Sequence, residues 1–108
     1  MNKEKIIKKS KEFTEIINMH NNVKNKYFNI FYKKCDEENK YGITIPKKIG
    51  KANIRNKLKR QVKNIIMTNE KNIPNNIYYV IIIKEAALSL KYNDMVKELL
   101  NIIKKVGK

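Results

Sequence analysis

Residues Ile77 to Ile83 read IYYVIII, an apolar and aromatic run held between Asn76 and Lys84. The run is far too short to cross a bilayer, and its β-branched and aromatic side chains favour a strand. A half-buried strand alternates apolar and polar positions, whereas an uninterrupted run marks a central strand covered on both faces. The rest of the chain must supply those covers. With 108 residues and 42% apolar content, eighteen isoleucines included, one modest core is affordable, so residues 1–108 are expected to form a single domain.

Periodic segments on either side provide the layers. From Ser10, a candidate N-cap, Phe13, Ile16, Ile17 and His20 recur at helical spacing, with Glu12 and Glu15 in the early turns, predicting a first helix of about three turns. "YFNIFY" alternates, placing Phe28, Ile30 and Tyr32 on one face and Tyr27, Asn29 and Phe31 on the other. The acidic loop "CDEENK" leads into "YGITIP", where Tyr41, Ile43 and Ile45 alternate until Pro46 stops the ladder, and a hairpin with the preceding strand is predicted. Ile54, Leu58, Val62, Ile65 and Ile66 mark one side of a helix from about Lys51 to Met67. Tyr92, Met95, Val96, Leu99, Ile102, Ile103 and Val106 mark a terminal helix, with Asp94 in its first turn and Lys104 and Lys105 in its last. The order is helix, strands, helix, strand, helix.

Charge narrows the function. Twenty-five basic against ten acidic side chains leave a net charge of +15, and so compact a cation gains by docking on a polyanion, with nucleic acid the leading partner. An anionic membrane surface would call for a basic amphipathic helix with exposed apolar anchors or an acyl signal, and no such anchor is present. The start "MNKEKIIKKSKEF" lacks the apolar stretch of a secretory signal, so a cytoplasmic location is expected. Cys35 and His20 are single representatives of their types, which excludes an intramolecular disulfide and a zinc site of the usual Cys/His kind. Cys35 reads as an unreactive thiol near a strand end and His20 as a loop residue.

Lysine, asparagine and isoleucine all have codons rich in adenine and thymine, so their abundance alone says little. The two arginines, Arg55 and Arg60, say more, because a guanidinium grips phosphate or a base edge bidentately and an ammonium does not. Both lie in "GKANIRNKLKR". Eight basic residues and no acid occur from Lys47 to Lys63. On a helical projection Ile54, Leu58, Val62 and Ile65 share one sector, with Arg55, Asn56, Lys59, Arg60 and Lys63 expected opposite, a phosphate-facing surface without the i,i+4 glutamates of an ordinary solvated face. Asn56 adds a group that both donates and accepts. Lys47, Lys48 and Lys51 add charge at the helix N-terminus, whose amides attract anions. Gly50 either relieves strain at the strand-to-helix turn or permits close backbone approach. Phe13, Asn29 and Phe31 either pack as core or line a cleft that holds a single strand by stacking.

The stretch "YGITIPKKIGKANIRNKLKRQVKNII" resembles the signature region of the bacterial ribonuclease P protein component: a glycine-containing strand, a lysine pair, "GKA", then an "RNR" core and "KR". "SKEF", "KYFNIFY", "YYVIIIK" and "LKYNDMVKELLNIIKK" resemble the family's first helix, aromatic strand, penultimate strand and closing helix, in the same order. The resemblance implies an α+β fold, an α/β sandwich in α-β-β-β-α-β-α order, whose four-stranded sheet carries a left-handed βαβ crossover, as in a domain of one small-subunit ribosomal protein. That hand opposes the general rule. A very short first strand around His20 to Val23 completes the implied sheet.

The resemblance further implies a subunit of the ribonucleoprotein that removes the 5′ leader of precursor tRNA, with the RNA subunit and mainly RNA-bound Mg²⁺ performing the hydrolysis. A chain without clustered acid and base groups agrees with that division of labour. Carried over by position, Lys47, Lys48, Lys51, Arg55, Asn56, Lys57, Lys59, Arg60 and Lys63 would contact the catalytic RNA. Phe13, Ile17, Asn29 and Phe31 would line the leader cleft, with Lys84 at its edge. The implied partners are the catalytic RNA and precursor tRNA, with no membrane and no obligate protein partner evident. The chain departs from the family pattern at Lys57 (third residue of the RNR core), Ile17 (usually phenylalanine), Phe31 (commonly tyrosine) and Pro46 (usually serine). A small ribosomal protein is the competing reading, sharing charge and size but not the RNR pattern.

Overall fold

A computed structural model of the chain describes residues 6, 7 and 10–106. In chain order the elements are α1 (Ser10–Asn18), β1 (Asn22–Lys24), β2 (Phe28–Lys34), β3 (Lys40–Thr44), α2 (Ala52–Thr68), β4 (Ile77–Ile83) and α3 (Tyr92–Ile103), with short 3-10 segments at Lys47–Ile49, Glu70–Asn72 and Glu85–Ser89. The order is the expected α-β-β-β-α-β-α. The capping expected of the Ser10 side chain lies outside the described residues.

The sheet runs β1-β2-β4-β3, with β4 inside it. Phe28, Ile30, Ile77, Tyr79, Ile81 and Ile83 face a large core completed by Leu58, Val62, Ile65 and Ile66 of α2 and Met95, Leu99, Ile102 and Ile103 of α3. Val80, on the opposite face of β4, is buried with Ile7 and Ile16, and Phe13, Ile17, Phe31, Tyr78 and Ile82 pack around them. The uninterrupted apolar run is thus explained: β4 has helices over both of its faces.

The expected hairpin between β2 and β3 does not form. β4 lies between them, antiparallel to β2 from Phe28↔Ile83 to Lys34↔Ile77 and parallel to β3 from Lys40↔Tyr78 to Thr44↔Ile82. A hairpin would have left the most apolar strand at a sheet edge with one row of backbone groups unpaired. Instead the 35–39 loop passes over the start of β4 and is tied to it. The Cys35 N–H donates to the Asn76 carbonyl at 2.8 Å. Asn39, only 4% exposed, donates to the Tyr41 hydroxyl (3.0 Å) and the Pro74 carbonyl (2.9 Å) and accepts from the Ile77 N–H (3.0 Å). Tyr41 and Tyr79 then stack with centroids 5.4 Å apart. Burial pushes the Tyr41 hydroxyl up to about 12, opposed in part by its bond to Asn39, and pushes Tyr79 up as well.

Other boundaries shift for local reasons. β1 begins at Asn22 because His20, in the turn that ends α1, takes a positive φ of 58°. Tyr27 joins the larger core instead of sharing the face of Asn29 and Phe31. The Asn25 Oδ1 accepts from both the Tyr27 and Phe28 N–H groups (2.8 Å each), so strand alternation starts only at Phe28. α3 closes at Ile103, leaving Lys104 and Lys105 beyond its last turn, although Val106 is still buried. Ile54, expected in the apolar stripe of α2, is 41% exposed, because the first turn of α2 follows the 3-10 segment past the end of β3.

Candidate nucleic-acid interface

α2 buries Leu58, Val62, Ile65 and Ile66, and at roughly 100° per residue Arg60 lies about 175° from the centre of that stripe, with Asn56, Lys57 and Lys63 at about 115° to 135°. Lys59 stands at about 75° and Arg55 at about 35°, so these two flank the buried stripe instead of sharing the opposite sector. The expected grouping followed charge type where angle decides. Arg55 is tolerated there because the first turn overhangs the sheet, and its Nε donates to the Gly50 carbonyl at 3.1 Å, which fixes the direction of the guanidinium fork. Gly50 itself has a φ of 172°, an extended conformation open to any residue, so relief of strain is not its role.

The cations remain available. Lys47, Lys48, Lys51, Asn56, Lys57 and Arg60 are exposed, and Arg55, Lys59 and Lys63 partly so. Lys33 and Glu15 form an ion pair, 2.6 Å, on the other side of the sheet, and among the described residues no carboxylate is seen to pair with a cation of the 47–63 segment. That contact holds the Glu15 carboxyl below its ordinary range and raises Lys33. α2 has no acid in its first turn and no side-chain cap on Lys51, so its leading amides keep their attraction for anions.

The second surface lies between α1 and the sheet. Asn29 and Phe31 project from β2 on the α1 side, where Phe13, Ile17, Phe31 and Ile82 are all partly buried and gathered round Ile16 and Val80. Gly42 is required here: a Cβ on it would come within 2.4 Å of Phe13 Cζ, so the ring lies directly on the β3 backbone. Lys84 stands at the end of β4, its Nζ donating to the Asn25 carbonyl at 2.8 Å. The sheet register adds residues that sequence reasoning did not assign. Lys24, Asn29, Ile82 and Thr44 form one row across all four strands, and Asn22, Phe31, Val80 and Gly42 form the next. β1 is three residues long and pairs with β2, and the rows continue only through the pairing of β2 with β4 and of β4 with β3, so the register itself was the missing signal.

Among the described residues, no group of three or more His, Cys, Asp or Glu side chains is placed to hold a metal ion. Glu37 is engaged by the Tyr78 hydroxyl, whose ionisation is pushed up to about 12 by that hydrogen bond. A depression of about 450 Å³ opens near Lys34, Pro74, Ile77 and Lys104, at the opposite end of β4 from Lys84, and carries no acid.

These surfaces can be set beside known proteins. The Ribonuclease P family model matches residues 1–107. Proteins named ribonuclease P protein component from Mycoplasma mycoides subsp. mycoides and Mycoplasma capricolum subsp. capricolum are 41% and 42% identical over 108 residues, each match covering 98% of this chain and 99% of the relative. Among solved structures, the RNase P protein from Thermotoga maritima superposes with a TM-score of 0.88 at 27% identity, covering 94% of this chain and 97% of that one. A Staphylococcus aureus RNase P protein, a mutant described as defective in mRNA degradation, gives 0.86 at 26% identity over 94% and 87%. With fold, sequence and length in agreement, the chain belongs to the ribonuclease P protein component family.

Proposed function

We propose that this chain is the protein subunit of a ribonucleoprotein that cleaves the 5′ leader from precursor tRNA. α2 and the turn before it dock on the catalytic RNA, the groove beside α1 receives the leader, and the RNA with its Mg²⁺ performs phosphodiester hydrolysis. The observation that carries this reading is the surface from Lys47 to Lys63: cations turned wholly or partly to solvent, with no carboxylate seen to pair with them among the described residues. Folded RNA offers the dense phosphate charge such a surface fits, and Asn56 offers a group for a base edge or ribose hydroxyl. The groove supports the second half of the reading, since partly exposed Phe13 and Phe31 give faces for stacking and Lys24 and Lys84 give charge nearby.

The test is reconstitution. The purified chain, the catalytic RNA of the same organism and precursor tRNA are mixed at low Mg²⁺, and leader removal is compared with that by RNA alone. The chain should enhance it, and Arg60→Ala should weaken binding to the catalytic RNA. Phe31→Ala should lower the preference for precursor over mature tRNA. No enhancement, with co-purification on ribosomal subunits, would transfer the chain to a structural role on ribosomal RNA.

A further inference from the structure

We propose that the depression at the start of β4, flanked by Lys34 and Lys104, is a binding site for a nucleotide that carries a terminal phosphate monoester. It shares no lining residue with the basic 47–63 segment or with the groove beside α1.

Three parts of the chain meet here. Lys34 ends β2, Pro74 and Ile77 lead into β4, and Lys104 and Val106 follow α3, around a depression of about 450 Å³. Ile77 and Val106 belong to the large core and are buried, so they give it a fixed apolar floor. Its walls are held as firmly. Asn76 accepts from the Cys35 N–H (2.8 Å) through its carbonyl and donates from its amide to the Glu37 carbonyl (2.9 Å). The Cys35 thiol donates to that same carbonyl at 3.4 Å. The Pro74 carbonyl accepts from the Asn39 amide (2.9 Å) and from the Tyr79 hydroxyl (2.6 Å). Walls already tied in this way cost little further ordering when a ligand enters.

Size and lining select the ligand. A bare phosphate would leave most of the volume and the apolar floor unused, whereas an apolar base with a few polar groups around it suits a small organic molecule. Charge decides the rest. Lys34 and Lys104 are exposed, no carboxylate is seen to pair with either among the described residues, and no acid lines the depression. Of the acidic loop that follows Cys35, Glu37 is engaged by the Tyr78 hydroxyl, and Glu38 lines a separate depression with Asn39 and Glu70. Two ammonium groups match a phosphate monoester, with about −1.5 to −2 charge at pH 7, better than they match the single charge of a phosphodiester within a strand. The phosphate would lie by the lysines and the base over Pro74, Ile77 and Val106, with the exposed Asn75 amide free to meet a ribose hydroxyl or a base edge. A free nucleotide and the 5′-phosphorylated end of an RNA strand share this chemistry.

Cys35, the single cysteine of the chain, lines the same depression and reports on it. The full chain, alone and in complex with its catalytic RNA, is treated with iodoacetamide in the presence and absence of saturating AMP. AMP should slow alkylation of Cys35 about threefold or more, and adenosine or inorganic phosphate alone should do far less. Equilibrium dialysis with labelled AMP reads the affinity directly. Lys34→Gln and Lys104→Gln should each weaken it about three- to tenfold, whereas Lys97→Gln, which removes the same charge from an exposed position of α3 outside the depression, should not. Two further probes separate the sources: protection by a 5′-phosphorylated RNA tetramer but not by its unphosphorylated counterpart would identify a strand end, and protection by AMP alone a free nucleotide. The proposal is overturned if AMP leaves Cys35 alkylation unchanged, if the three lysine variants bind AMP alike, or if the catalytic RNA itself shields Cys35 and excludes AMP.

Discussion

The ring of Phe13 rests on the Gly42 backbone, a contact that joins the first helix to the far edge of the sheet. A methyl group at position 42 would sit 2.4 Å from the ring edge, and Phe13, packed against the cluster of Ile16 and Val80, would have to shift to admit it. Gly42→Ala should therefore cost about 1–3 kcal/mol of stability, as overpacking does, and lower the precursor preference by displacing a wall of the groove. Thermal melts and precursor binding read the two effects separately; an unchanged melting temperature would show that α1 rides loosely on β3. Tyr41 makes a second prediction at this scale. Its hydroxyl is pushed up to about 12 in the fold against an ordinary 10, so the folded state keeps the proton more tightly than the unfolded chain. The stability it contributes is complete below about pH 10 and is lost as pH rises toward about 12. Lysines titrate in the same range, so the comparison is with Tyr41→Phe: the stability difference between the two proteins should move against the wild type across that window, and a constant difference would contradict the burial.

At the scale of elements, α2 divides its length between two tasks. Ile65 is fully buried and Ile54 stands 41% exposed, so the same substitution should separate them: Ile65→Ala by about 2–5 kcal/mol, Ile54→Ala by within about 0.5 kcal/mol in denaturant melts. Equal costs would mean that the first turn packs and is not free to meet a partner. The elements themselves were legible because their signals are local. The apolar run fixed β4 to the residue, and helical spacing found α2 to within one position at each end. Pairing was not legible, because it is decided by distant strands: closeness in sequence suggested a β2–β3 hairpin, while the need to cover both faces of β4 placed it between them. The groove was half legible. Alternation put Asn29 and Phe31 on one face, but Asn22, Thr44 and Ile82 joined them only through register, and the Phe13–Gly42 contact depends on how closely a helix approaches a strand remote in sequence. The position of Arg55 shows a further limit, since its charge suggested the polar face while its angle and its bond to the Gly50 carbonyl set it at the flank.

For the whole molecule the deciding quantity is the imbalance of charge. A net +15 on 108 residues leaves most cations without an acid to match them, and they repel one another across the surface of the free protein. Salt with a screening length of about 8 Å at physiological strength weakens that repulsion, so the free protein should melt at higher temperature as salt is added. Binding to the catalytic RNA should respond in the opposite sense. Each phosphate neutralised releases counterions, and log affinity should fall against log salt with a slope of about 0.7 to 0.9 per contact. The two trends share one cause and differ in sign, which separates a surface shaped for RNA from one that is merely lysine-rich. Arg60→Ala sharpens the comparison: it should lower the binding slope by about one contact while leaving the salt response of the free protein nearly as it was, since one charge among so many changes the self-repulsion little. If affinity proved insensitive to salt, or if Arg60→Ala left its slope intact, the exposed face of α2 would be a solvated face after all, and the RNA would have to be held elsewhere on the molecule.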